Sequence, residues 1–185
     1  MVDFLLQLDT KLFLALNGWH SPFWDSIMLF ASGKLSWLPL YLLLVFFMIR
    51  RFGWKTLWWL LAAAVVVLLA DQVTGHAFKY VYHRLRPCHN PDLSSVIHLV
   101  GRCGGKYGFI SAHAANSFGV ATLVSFIFYK RWATIGMLVW ATFVSYSRIY
   151  LGVHYPGDVL VGAIVGSAIG IAVWLVAERL INRRN

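Results

Sequence analysis

The chain has 185 residues, enough for a single domain over 1–185, and 59% of them are hydrophobic while only 12% are charged. Spread over a water-soluble globule, that composition would leave large exposed apolar patches, so it excludes an ordinary soluble enzyme and points to an integral membrane protein. Sixteen Lys and Arg against seven acids give a formal net charge of +9, and the cations cluster at the ends of apolar runs; anionic lipid or an anionic substrate is the expected partner, not nucleic acid.

Residues 3–17 alternate apolar and polar side chains at helical spacing, with Asp3, Gln7 and Lys11 four apart and Asn17-Gly18 at the end. This predicts an interfacial amphipathic helix. Residues 22–33 form a shorter apolar segment containing Asp25. A helix of that length rises about 18 Å against a hydrocarbon core of about 30 Å, so a partial or tilted span is expected. Five clearer spans follow over 35–50, 56–78, 114–130, 132–150 and 157–177. The expected fold is all-α: a polytopic membrane helix bundle of five spans plus the N-terminal amphipathic and short pair (1–33), six when 22–33 is counted. The nine tryptophans mostly flank these runs and read as interfacial anchors. Asp71, inside a span, is expected either to orient Lys79 or to pair with Asn116.

The first residues, Met-Val-Asp-Phe-Leu, lack a basic leader and a small-residue cleavage site, so export is expected through the spans themselves. Arg50, Arg51, Lys55, Lys130, Arg131, Arg179, Arg183 and Arg184 fall at one set of span ends; the long glycine-rich loop 87–111 falls at the other. The positive-inside rule then puts the C-terminus in the cytoplasm and the loop outside, in the inner (cytoplasmic) membrane of a bacterial-type cell. Both cysteines, Cys88 and Cys103, lie in that loop. A bridge between them is the favoured reading, stabilising the loop by about 3 kcal/mol. A zinc site with His89 and His98, whose spacing fits no common pattern, and free thiols are the alternatives.

Three polar stretches meet at the outer face by topology alone. In the first, Lys79 and Arg86 are seven residues apart; a helix continuing past the bilayer would put both on one face, about two turns apart, as a lysine point charge and an arginine fork for phosphate, with Pro87 disfavouring helical geometry at Arg86 and stopping the run. The plainer reading is a snorkelling pair. In the second, Ser111 and His113 precede a helix, where unpaired N–H groups favour an anion. Ser111 can donate to it, and His113 can protonate a leaving oxygen or simply face headgroups. In the third, Arg148 precedes His154 and Asp158, which are four apart around Pro156-Gly157. Pro156 at the first helical position puts Asp158 in the first turn, within reach of the His154 ring. A carboxylate there fixes the tautomer and frees the other nitrogen for attack. An aspartate cap with an incidental histidine accounts for Asp158 but poorly for His154. Arg84 and Lys106 are candidates for touching a headgroup, and His76, His83, His89 and His98 carry no assigned role.

Taken together, Lys79-x6-Arg86-Pro87, Ser111-Ala112-His113 and Ser147-Arg148-x5-His154-x3-Asp158 resemble the three signature motifs of the type 2 phosphatidic acid phosphatase family, which also includes vanadium haloperoxidases. The resemblance covers 79–158. The family's middle motif usually reads Pro-Ser-Gly-His where this chain has Ile110-Ser111-Ala112-His113, a departure that bears on the backbone before the helix. The resemblance implies a metal-independent, cofactor-free membrane phosphatase acting on lipid phosphates or diphosphates. Undecaprenyl diphosphate, phosphatidylglycerophosphate, phosphatidic acid and lipid A phosphate are the candidates. It implies His154 as nucleophile through a phosphohistidine, Asp158 orienting it, His113 as acid, and Lys79, Arg86, Ser111 and Arg148 holding phosphate. The competing functions are a vanadium-dependent haloperoxidase and a non-catalytic lipid binder or transporter.

Overall fold

The structure, a computed structural model, describes residues 2–182; the side chains of Val2, Lys79, Tyr80 and Asn182 lie outside the described residues, as do Arg183 and Arg184. Among the described residues eight α-helices follow in order: α1 Val2–Asn17, α2 Pro22–Ser32, α3 Leu38–Phe52, α4 Thr56–Gln72, α5 Tyr80–Tyr82, α6 Ala112–Phe128, α7 Arg131–Tyr150 and α8 Pro156–Asn182. Among the described residues there is no strand, only an isolated bridge between Leu85 and Tyr107.

The punctuation is local chemistry. Ser21 caps α2 by accepting from the Trp24 N–H, and Pro22 opens the helix where its missing N–H costs nothing. Gly53, at φ 56°, occupies backbone space that side chains disfavour and turns α3 into α4 through a 3-10 turn at Gly53–Lys55. The run Leu38–Phe78 and α8 over Pro156–Ile181 are long and apolar enough to cross a membrane, and α6 is a shorter apolar helix.

The main core gathers Trp59 and Val66 of α4, Leu123 and Ile127 of α6, and Met137, Trp140 and Val144 of α7. Its tightest seam is between α6 and α8. Gly162, Gly166 and Gly170 recur every four residues along α8 and lie against Ser111, Ala115 and Gly119. A Cβ on Gly162 would come within 2.6 Å of the Ser111 carbonyl oxygen, and one on Gly170 within 2.5 Å of that of Gly119. Small residues thus let the two backbones approach closely, the device that packs helices where no hydrophobic effect drives them together. The seam fixes the site: the Ser111 N–H donates to the Asp158 carbonyl at 3.0 Å, tying the start of α6 to the start of α8.

The N-terminal pair packs on the same end of the bundle. On α1, Asp9, Phe13 and Asn17 lie four apart; Phe13 and Asn17 are buried and Asp9 partly so, while Phe4, Leu5, Leu6, Leu8 and Leu12 are exposed. The Asn17 amide donates to the carbonyls of His98 at 2.9 Å and Tyr150 at 2.8 Å, and its oxygen accepts from the His98 N–H at 2.8 Å. On α2, Asp25 accepts from Tyr150 at 2.7 Å and pairs with the His98 ring at 2.8 Å. In the loop, Cys88 and Cys103 form a disulfide, which removes both the zinc-site and the free-thiol alternatives.

Candidate active site

The turn between α7 and α8 carries the third polar stretch. Gly152, at φ 77°, lets the chain reverse, and Pro156 starts α8 with Asp158 in its first turn. Asp158 is fully buried and His154 is 2% exposed. His154 Nδ1 meets Asp158 Oδ2 at 3.3 Å, and that oxygen also accepts from the Tyr155 N–H at 3.0 Å. An ionised carboxylate only accepts, so the ring carries its proton on Nδ1 and keeps a lone pair on Nε2. Arg86 Nη1 donates to that lone pair at 3.0 Å and lies 3.1 Å from the Val153 carbonyl oxygen. Burial, aided by Arg86 and Arg148 and opposed by Asp158, pushes the His154 ring down to about 4. The ring is therefore neutral and nucleophilic at physiological pH.

Arg86 arrives by a different route from the one its spacing suggested. The helix ends at Tyr82, and His83 takes φ 42°. The chain then runs extended: Arg86 N–H donates to the Lys106 carbonyl at 3.1 Å, and Gly108 N–H to that of Arg84 at 2.9 Å. The two-turn helical face shared by Lys79 and Arg86 is thus not formed. The physical cause is Pro87, which drives Arg86 to extended geometry at ψ 155°. The Lys79 side chain lies outside the described residues.

Arg148, at the end of α7, donates from Nη1 to Ser32 Oγ. Ser111 is fully buried and caps α6, its Oγ accepting from the Ala114 N–H at 3.4 Å. The Ile-Ser-Ala-His variant thus keeps a formed helix start. His113 meets a backbone group of Ser32 and lies within electrostatic reach of His154 and Arg148. It borders a cavity of about 370 Å³ that Lys34, Trp37, Tyr41, Asp71 and Asn116 also line. Of the two expectations for Asp71, the pairing is formed: Asn116 Nδ2 donates to its Oδ1 at 2.8 Å. Among the described residues, two guanidinium nitrogens, Arg86 Nε and Arg148 Nε, are buried without a partner, and a buried unpaired guanidinium N–H is suited to an anion.

Arg84 is engaged in an ion-pair network beside His154. Its Nη1 donates to Asp158 Oδ1 at 2.9 Å, its Nη2 to Asp9 Oδ2 at 2.7 Å, and its guanidinium lies 4.0 Å from the centre of the Tyr155 ring. Asp9 also accepts from the Gly157 N–H at 2.7 Å. Sequence reasoning missed both roles. Two signals were present: Arg84 and Arg86 are two apart, so an extended chain puts them on one side, and Asp9 shares the i, i+4 face of Phe13 and Asn17.

Comparison with known proteins points to one family. The family model described as the PAP2 superfamily matches residues 57–182. A lipid A 4'-phosphatase of Bacteroides thetaiotaomicron is 42% identical over 99% of this chain and 83% of its own length. A lipid A 4'-phosphatase of Porphyromonas gingivalis is 34% identical over 95% of this chain and 75% of its own. The crystal structure of Aquifex aeolicus LpxE superposes with a TM-score of 0.66 at 26% identity, covering 90% of this chain and 94% of that one. With the family model spanning most of the chain and a relative similar over nearly all of it, the chain belongs to the PAP2 superfamily.

Proposed function

We propose that this protein is a membrane-embedded phosphatase of lipid phosphates, acting on a phosphate monoester carried by a lipid A-type glycolipid. The observation that carries the reading is the buried Asp158–His154 pair, with Nδ1 on the carboxylate and Nε2 facing a guanidinium. The substrate class is supported by the two lipid A 4'-phosphatase relatives.

His154 Nε2 attacks phosphorus, forming a P–N bond as the P–O bond to the lipid alcohol breaks. His113 gives its proton to the departing oxygen. Water then attacks the phosphohistidine, breaking the P–N bond and releasing inorganic phosphate, with His113 now taking the proton. Arg86 and Arg148, joined by Lys79 and the Ser111 hydroxyl, hold the three phosphoryl oxygens as charge develops. The chain is one domain, 1–185, crossing the membrane with α3, α4, α6, α7 and α8. The alternation of these helices supports that topology: Trp37 meets Phe143 near the site's end of the bundle, while Arg51 donates to the Phe128 carbonyl at the other. The site and the bridged loop face the outside of the inner membrane, and α1 lies in the interface with its apolar face in lipid.

The test is phosphate release by the purified chain in detergent from lipid A, phosphatidic acid, phosphatidylglycerophosphate and undecaprenyl diphosphate. Release is expected fastest from lipid A and absent in His154→Ala. Undiminished release by His154→Ala would overturn the phosphohistidine route, and preference for another lipid would overturn the substrate. For sidedness, an impermeant thiol reagent should label Lys106→Cys and spare Arg131→Cys in spheroplasts; the reverse pattern would place the site in the cytoplasm.

A further inference from the structure

The reaction leaves two charged side chains beside His154 without a task. Asp158 Oδ2 is taken by His154 Nδ1 and the Tyr155 N–H, and its Oδ1 by Arg84 Nη1 at 2.9 Å. The same guanidinium passes through Nη2 to Asp9 Oδ2 at 2.7 Å, and Asp9 Oδ1 takes the Gly157 N–H at 2.7 Å in the first turn of α8. Tyr155 covers the guanidinium face at 4.0 Å. The pair is mostly shielded, with side-chain exposures of 19% for Arg84 and 14% for Asp9, so its field is little weakened by solvent. Gly157 has no side chain in the way: a Cβ there would lie 2.7 Å from Asp9 Oδ2. Asp9 belongs to α1, outside the residues 57–182 that match the family model.

We propose that Arg84 and Asp9 are positioning residues of the His154–Asp158 pair, through which helix α1 sets the orientation and basicity of the nucleophile. This rests on His154 being the nucleophile, as proposed above. The geometric part is plain. Donors on both carboxylate oxygens stop Asp158 from rotating, and the Arg84 fork joins that carboxylate to a second one fixed on another helix. The electrostatic part has a sign. Along the chain the charges alternate: Asp9 negative, Arg84 positive, Asp158 negative, then the ring. Arg84 diminishes the pull of Asp158 on the ring proton, and Asp9 diminishes Arg84. Loss of the Arg84 charge therefore makes His154 more basic, and loss of the Asp9 charge makes it less basic. The other charged or titratable groups facing the ring are Arg86 from the loop, Arg148 from α7 and His113 from α6. They are the same in every variant, so opposite displacements belong to this pair.

The experiment follows the His154 ring by ¹⁵N-histidine NMR titration of the full chain in detergent, assigned by the signal lost in His154→Gln. It is paired with the pH profile of phosphate release from lipid A. Arg84→Gln is expected to raise the ring pKa and the acid limb of kcat/KM, and Asp9→Asn to lower both. Each should lower kcat by on the order of 10-fold with KM little changed. Arg84→Lys keeps the charge and loses the fork, so it should restore the ring pKa without restoring kcat. A structural role alone would move neither pKa nor limb, and that outcome, or displacements of the same sign, overturns the proposal. Asp9→Asn is isosteric and keeps an acceptor for the Gly157 N–H, so it decides the sign even if Arg84→Gln fails to fold. The titration needs no turnover: were His154→Ala still active, the nucleophile assignment would fail while the coupling between α1 and the ring was still read.

Discussion

The two halves of the site are finished to different degrees. On the nucleophile side every polar atom has a partner: both Asp158 oxygens are bonded, and both His154 nitrogens are engaged. On the anion side Arg86 Nε and Arg148 Nε are buried with none, and His113 borders a cavity of about 370 Å³. Each orphaned N–H costs about 1–3 kcal/mol. On the proposed reading, folding completes the first half and a phosphoryl group would complete the second, so that His154 is aligned before substrate arrives and the unpaired guanidinium N–H groups are left for the anion.

Substitutions that separate the halves test this contrast. The largest effect after loss of His154 itself is expected for Asp158→Asn. The amide keeps the shape but no longer stabilises a positive ring, and kcat should fall by roughly 10²–10⁴-fold in phosphate-release assays. On the anion side, Arg86→Lys and Arg148→Lys keep the charge but lose the fork, so each should lower kcat by on the order of 10²-fold. They should also weaken competitive inhibition by vanadate, which Asp158→Asn should leave nearly intact; equal weakening would erase the distinction between the halves. His113→Ala should depend on the leaving group. A lipid alcohol leaving from a monophosphate needs a proton, so the loss there is about 10²–10⁴-fold; a leaving phosphate from a diphosphate lipid needs it less. Equal losses on paired substrates, with chemistry limiting, would leave His113 only a binding role.

The smallest effect is on pH dependence. With the folded His154 ring at about 4 against an ordinary 6.5, the unfolded chain binds more protons between those values. Its contribution to stability is therefore fully present above 6.5 and is lost as pH falls toward 4. Thermal unfolding of the wild type should lose stability across that window faster than His154→Gln does. The acid limb of kcat/KM, corrected for ionisation of the substrate phosphate, should lie below that of a free histidine.

How far the sequence carried this picture depends on the range of the forces involved. The helical runs follow from hydropathy, and the His154–Asp158 contact follows from Pro156 fixing where α8 begins, because both are local. The Arg86 placement was missed because residues 84–86 pair with 106–108 across the bridged loop, a long-range contact that no local period announces. That the helix stops before Arg86 was legible from Pro87; where the extended segment goes was not. The α6–α8 seam is half legible: glycines four apart along α8 mark a close-packing face. That the face receives Ser111, Ala115 and Gly119 is tertiary information. Arg84 and Asp9 were missed for the same reason, since the ion pair joins residues 75 positions apart.

The 3.0 Å contact from Arg86 to His154 Nε2 also bears on chemical selectivity. A neutral histidine with a free lone pair reacts with many electrophiles that reach it, including acylating agents. Here the resting lone pair is already occupied by a cationic donor, and the ring is almost wholly enclosed. A neutral electrophile gives the Arg86 guanidinium no new partner, whereas on the proposed mechanism a phosphoryl anion would compete for it and free the nitrogen. Diethyl pyrocarbonate should therefore modify His154 far more slowly than exposed histidines such as His20 and His89, and removing the guard with Arg86→Ala should speed that modification even as turnover falls.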